Sequence, residues 1–318
     1  MKPLIVILGP TASGKSALSI SLAKKYRGEI ICADSRTIYK GLLIGAASPT
    51  LDKNYQEVPH HLLHFVSPNE VFTVAQFKEL AEKTIAKIHS RGKIPFLVGG
   101  TGLYIDAITK SLDIPRIPPD FKLRDKLEKL SNIKLAGKLK MLDKKTYAHI
   151  DQNNKRRLVR ALEVCLVTKK PFSSFLKTKK PSYQILKIGL ALPKEKLFKK
   201  IDARVSKMIK MGLVDEVRKL ITSGCKLNAP AMSGLGYKQI ASWLCQKFSI
   251  SNSQFLMKSQ FTNSKKQIPN EIIKQIKIKT KQYAKRQMTW FKRDRKIVWI
   301  KSKQQAEKLI KEFCQTIS

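Results

Sequence analysis

The chain has 318 residues, 42% hydrophobic and 8% aromatic, enough for one large α/β core with an insertion, or for two domains. That composition excludes a disordered binder, and no apolar run approaches the roughly 18 residues of a membrane span. The 63 Lys and Arg against 23 Asp and Glu give a formal net charge of +40, which draws in a polyanion, most simply nucleic acid. A Lys-rich genome explains part of that surplus but not the shortage of acids, and no cationic helix has the clean Trp/Phe/Leu face that an anionic membrane needs.

In chain order, the buried run Leu4 to Leu8 predicts a strand, and GPTASGKS at residues 9–16 follows it at once. This is the G-x-x-x-x-G-K-[ST] phosphate loop. Gly9 and Gly14 permit the tight turn that aims N–H groups at an anion, Lys15 adds a cation, and the Ser16 hydroxyl suits a Mg²⁺ shared with the phosphates. Ala17 to Ala23 predicts the helix that meets the anion. Glu29 to Ala33 predicts a second strand ending at Asp34, Val74 to His89 a helix, and Ile94 to Val98 a third strand. That strand ends Gly99-Gly100-Thr101, a hydroxyl where a P-loop kinase or ATPase carries its second acid. Asp34, at a strand end facing the ligand crevice, is therefore the acid to account for: a metal ligand, a general base, or a turn cap with Ser35.

His60-His61-x-x-His64 has no Cys or acidic neighbour to complete a zinc site. The five cysteines, Cys32, Cys165, Cys225, Cys245 and Cys314, are widely spaced and never C-x-x-C; with no charged-then-apolar leader, a reducing cytoplasm is expected. Pro115-Arg116-Ile117-Pro118-Pro119 reads as a rigid linker into a helical segment, with Leu158, Leu162 and Leu166 on one stripe, closed by a KTKKPS turn at 177–182. A fourth strand is expected over Ile185 to Leu192, then a helix with Leu197, Ile201, Val205 and Ile209 on one face. Residues 246–267 are polar and Ser/Asn-rich, and a mobile loop is expected there. Asn270 to Lys296 carries ten Lys or Arg with Tyr283, Trp290 and Phe291 interleaved, cation plus aromatic as an RNA surface requires, with Phe291 and Trp290 the ones that suit a core instead; a last strand is expected over Lys296 to Ile300. Strand and helix alternate, so the fold class expected is α/β: a P-loop NTPase-like parallel sheet flanked by helices, with an inserted small helical domain. Residues 1–114 and 183–318 would form the catalytic core with its basic C-terminal helices, and 115–182 the insertion, contacting tRNA.

GPTASGKS, ADSRTIYKGLLIGAASP, PHHLLHF, LVGGTGLYI, RRLVRALEV, IDARVSKMIKMGLVDEV, GLGYKQI and AKRQMTWFKR together resemble, in order from residue 9 to about residue 300, the tRNA dimethylallyltransferases. The resemblance implies transfer of a dimethylallyl group from dimethylallyl diphosphate to N6 of the adenosine 3′-adjacent to the anticodon, with release of diphosphate as its Mg²⁺ complex. It implies that Gly9, Pro10, Thr11, Ala12, Ser13, Gly14, Lys15 and Ser16, with Arg124 and Arg204, hold the diphosphate. Asp34 would be the general base and Thr101 would contact the bridging oxygen. The implied RNA contacts are Asp34, Ser35, Arg36, Thr37, Thr101, Arg124, then Arg156, Arg157, Leu158, Val159 and Arg160, then Ser233, Gly234, Leu235, Gly236, Tyr237 and Lys238, and finally Lys285, Arg286, Gln287, Trp290 and Lys292. The partner would be a tRNA anticodon stem-loop, and a chain this cationic is expected to stay monomeric.

Three positions depart from the family's usual pattern: Thr37 where Gln is common, and Ala46 and Ser48 where Thr and Lys are. They bear on recognition of the base and leave the diphosphate loop intact. Three rival readings remain open from the residues alone: a small-molecule or nucleoside kinase with ATP in the loop, a non-catalytic RNA binder, and prenyl transfer to free adenine nucleotides. The kinase leaves the charge of +40 idle, and an intact Lys15-Ser16 pair beside Asp34 tells against the RNA binder.

Overall fold

The computed structural model describes residues 1–115, 117–175, 182–247 and 267–316. Arg116 of the linker, positions 177–181 of the KTKKPS turn and 248–266 of the polar stretch lie outside the described residues. Contacts divide the chain into two compact units, Met1–Ile105 with Ser182–Ser318, and Asp106–Pro181. The helical insertion expected over 115–182 overlaps the second, which begins earlier, at Asp106, and ends at Pro181.

The first unit is built on β1 (Pro3–Leu8), β2 (Gly28–Ala33), β3 (His60–His61), β4 (Ile94–Gly99), β5 (Gln184–Leu190) and β6 (Ile297–Ile300). Their order is β3-β2-β4-β1-β5-β6, and every pairing is parallel. Strands buried on both faces need apolar runs, which is why Leu4 to Leu8 and Ile30 to Ala33 are buried throughout without polar alternation, while Glu29 at the start of β2 is buried as an ion-paired exception. On one face α1 (Lys15–Lys25) brings Ile20 and Leu22 against Ile5, Ile7 and Phe96, and the C-terminal helix Lys303–Gln315 adds Ala306 and Ile310; α2 (Val74–Ser90) precedes β4 and α3 (Gly102–Thr109) follows it. A further cluster packs Leu197, Ile201 and Val205 with Leu213, Val217, Tyr237, Ile276 and Ala284. The helical stripe read at Leu197, Ile201 and Val205 thus does form a core. The chain leaves β1 for β2 on one side and later adds β5 on the other, so β1 ends at the point where a parallel sheet opens a ligand crevice.

The edge strand β3 escaped the sequence reading: two residues carry no periodicity. It also gives the three histidines separate duties. His61 meets Glu29 at 2.7 Å, His60 Nδ1 donates to the Val58 carbonyl, and His64 bonds both Ser48 and the Tyr39 carbonyl. No metal-holding group of His, Cys, Asp and Glu occurs among the described residues.

The second unit contains α4 (Phe121–Glu128), α5 (Asn132–Leu142), α6 (Lys144–His149) and α7 (Lys155–Thr168), packed through Leu127, Leu135, Leu139, Leu158 and Leu162. Such short helices need caps, and Asp120, Ser131, Asp143 and Asn154 each accept a first-turn N–H. Among the described residues, no helix is long and apolar enough to cross a membrane.

Candidate active site

The phosphate loop sits at the end of β1, where the chain admits little but glycine. A Cβ on Gly9 would stand 2.7 Å from the Leu190 carbonyl oxygen. Ala12 is held at φ 64° and Gly14 at φ 95°, left-handed backbone that turns successive N–H groups inward, and no side chain caps the start of α1. Two cations converge on this loop. Lys15 Nζ lies 3.3 Å from the Pro10 carbonyl, and burial followed by the Arg204 guanidinium lowers its pKa to about 8, although Asp34 pulls the other way. Arg204, on α8 (Lys194–Lys210), donates to Thr11 Oγ1 at 3.0 Å, and burial lowers its pKa too. Ser13 Oγ is buried with no hydrogen-bond partner. Two partly buried cations opposing each other are stabilised by an anion between them.

Asp34 follows β2 directly. Its Oδ1 accepts the Arg36 N–H at 2.8 Å, so it does cap a turn, with Arg36 rather than Ser35 as donor. Its charge also reaches the loop, opposing the pKa depression of Lys15 and of Arg204. Burial first, and Asp34 among the charges, raise the pKa of Tyr104 and Tyr283. Thr101 stands at the end of neighbouring β4: its N–H donates to the Ala33 carbonyl at 3.2 Å and its hydroxyl oxygen accepts the Ser35 N–H at 3.0 Å. Against that burial, the neighbouring Thr101 side chain lowers the Tyr283 pKa. The sequence reading treated Tyr283 only as an interleaved aromatic; no local pattern marks its partner.

Arg36 ties this segment to the Ser233–Lys238 turn, donating to the Pro230 carbonyl at 2.6 Å and to Ser233 Oγ at 2.9 Å. Glu216, on α9 (Leu213–Thr222), accepts N–H bonds from Leu43, Ile44 and Gly45 and the Tyr237 hydroxyl at 2.6 Å. Tyr237 in turn accepts the Ala46 N–H at 3.1 Å, so the loop following Asp34 hangs from one carboxylate and one phenol. Thr37 is buried with its hydroxyl unpartnered. On the helix Asn270–Phe291, Lys285 and Arg286 are exposed, as is Lys292 just after it, while Phe291 lies in the core as its alternative reading allowed.

In the second unit Arg156 and Arg157 are exposed. Arg124, expected on the diphosphate, makes two bonds of 2.7 Å to the carboxylate of Glu163 within its own unit, and Arg160 and the Asp120 N–H reach the same carboxylate. Glu163 is fully buried, and hydrogen bonds from these cations outweigh its burial and lower its pKa. The sequence offered a signal for this pair in an acid set within an apolar stripe, one turn from Arg160. Of the positions expected to hold RNA, Leu158 and Val159 pack their side chains in the unit's core, Tyr237 is 1% exposed, and Gln287 is 6% exposed.

The sequence model described as IPP transferase matches residues 37–294. A tRNA dimethylallyltransferase of Acetivibrio thermocellus is 40% identical over 98% of this chain and 96% of its own. The crystal structure of a Staphylococcus epidermidis tRNA isopentenylpyrophosphate transferase is similar at TM-score 0.67 and 34% identity, over the whole of both chains. A eukaryotic dimethylallyltransferase, captured acting on tRNA, is similar at TM-score 0.72 and 30% identity, over 91% of this chain and 70% of that one. With its phosphate loop, Asp34 and Thr101 gathered at the ends of one parallel sheet, this chain belongs to the IPP transferase family, the tRNA dimethylallyltransferases.

Proposed function

We propose that this protein transfers the dimethylallyl group of dimethylallyl diphosphate to N6 of the adenosine 3′-adjacent to the anticodon of tRNA, releasing diphosphate. The observation that carries the chemistry is the pairing of a cationic phosphate loop with Asp34 and Thr101, while β4 ends in a hydroxyl and no carboxylate. The N6 lone pair is delocalised into the purine and is a weak nucleophile. Asp34 takes its proton as nitrogen bonds to the allylic carbon, and the carbon–oxygen bond breaks with its electrons passing to the diphosphate. Charge develops on that leaving group, where the loop N–H groups, Lys15 and Arg204 are preorganised for it. Thr101, held by the Ser35 N–H, presents its hydroxyl to the bridging oxygen.

Mg²⁺ fits this donor set. It keeps waters and phosphate oxygens rather than demanding a cage of protein ligands, and the Ser16 hydroxyl with Asp34 are hard oxygen donors beside the loop. When bound it neutralises charge on the departing diphosphate. The exposed cations Lys285, Arg286, Lys292, Arg156 and Arg157 suit RNA phosphates, whose contacts offset the few kcal/mol of extruding a stacked base. Acting as a monomer in a reducing cytoplasm is consistent with the charge of +40 and with free, largely buried cysteines.

The test is one incubation of protein, Mg²⁺, labelled dimethylallyl diphosphate and unmodified tRNA, beside one with labelled ATP. Label on adenine N6 of the tRNA is expected. Hydrolysis or transfer of the ATP γ-phosphate, with no label on tRNA, would make the protein a kinase or ATPase instead.

A further inference from the structure

The helix Asn270–Phe291 has two faces of different chemistry. Lys285 and Arg286 point to solvent, whereas Tyr283, Gln287 and Trp290, spaced four and three residues apart, lie on the face turned to the Gly100–Gly102 turn. Tyr283 neighbours Thr101. Trp290 lies so close to Gly102 that a Cβ there would stand 2.4 Å from the indole. Gln287 does more than fill space. Its carboxamide oxygen accepts the Thr11 N–H of the phosphate loop at 2.9 Å, and its NH₂ donates to the Gly100 carbonyl at 2.8 Å. Gly100 leaves no room for anything else, since a Cβ on it would meet Gln287 Nε2 at 2.4 Å.

We infer that Gln287 is a positioning residue: it clamps the diphosphate loop to the turn that carries Thr101, and so sets the donor in register with the group at its bridging oxygen. The inference rests on the function proposed above. An amide is the side chain for this task, because it accepts at one end and donates at the other. The Thr11 N–H it holds is thereby aligned by the protein. Because Gln287 is 6% exposed, the role is separate from any RNA contact made by its exposed neighbours.

The test measures dimethylallyl diphosphate affinity without RNA, tRNA affinity without donor, and kcat for Gln287→Met and Gln287→Glu. For Gln287→Met we expect kcat to fall about 10- to 100-fold and donor affinity to weaken, with tRNA affinity within about twofold of wild type. Gln287→Glu keeps the size and the acceptor but sets an oxygen against the Gly100 carbonyl. It should lose donor affinity at pH 8 and recover it, relative to wild type, as pH falls and the protonated carboxyl donates again. A merely space-filling residue gives no such recovery. Unchanged kcat and donor affinity in Gln287→Glu at pH 8 would overturn the inference, as would a tenfold loss of tRNA affinity with kcat intact. A wild type that binds donor yet modifies no tRNA would overturn the functional reading alone, and the donor-affinity measurements would still judge Gln287.

Discussion

Lys15 shows how a single residue is prepared for its ligand. Desolvation and the neighbouring Arg204 bring its pKa to about 8, so its charge is lost in a range where ordinary lysines keep theirs. Dimethylallyl diphosphate affinity is therefore expected to weaken about tenfold between pH 7 and pH 9, and Lys15→Arg to flatten that dependence. Titration calorimetry at the two pH values checks it, and an equal affinity at both would contradict the assignment. The same shift fixes a sign for the free protein. The folded pKa lies below the ordinary 10.5, so between about 8 and 10.5 the unfolded chain holds more protons and stability rises with pH. The loop itself was legible in the sequence because its turn, cation and hydroxyl are contiguous. Gln287 was not legible in this role, since its two partners lie 276 and 187 residues away. The buried acid that pairs with Arg124, Glu163, becomes visible only once α4 packs on α7.

At the scale of elements, the long strands and helices were readable because each carries an unbroken apolar run or a stripe of fixed period. What the sequence hid is how loops are held. Residues 43–46 follow Asp34 with no regular structure, and their N–H groups are satisfied by Glu216 and Tyr237 from distant helices. Glu216→Ala leaves three N–H donors and a buried phenol without their acceptor, and is expected to cost about 2–4 kcal/mol. Because that loop follows Asp34 in the chain and is not part of the phosphate loop, the loss should fall on tRNA affinity while thermal protection by dimethylallyl diphosphate persists. A melting midpoint equal to wild type would show that the carboxylate does not hold the loop. Thr37, buried with its hydroxyl unpartnered just after Asp34, is where a departure from the family's common Gln meets the fold. In the histidine cluster, strand pairing at β3 sends the three rings to different partners, which the spacing alone did not show.

Across the whole molecule the charge of +40 is the property most directly tied to a polyanionic partner. If tRNA is held through exposed cations such as Lys285, Arg286 and Lys292, each phosphate neutralised releases a counterion. With six or more contacts, affinity is expected to fall about a thousandfold between 50 and 200 mM salt, with a slope of roughly −0.7 to −0.9 per contact. A flat dependence would point to RNA recognition without the basic surface. The measurement that bears most directly on the central claim is single-turnover transfer by Asp34→Asn at saturating donor and tRNA. The substitution keeps the acceptor oxygen that bonds the Arg36 N–H but removes the base. Transfer is expected to slow about 10²- to 10⁴-fold with both substrates still bound, and undiminished transfer would show that Asp34 does not take the N6 proton.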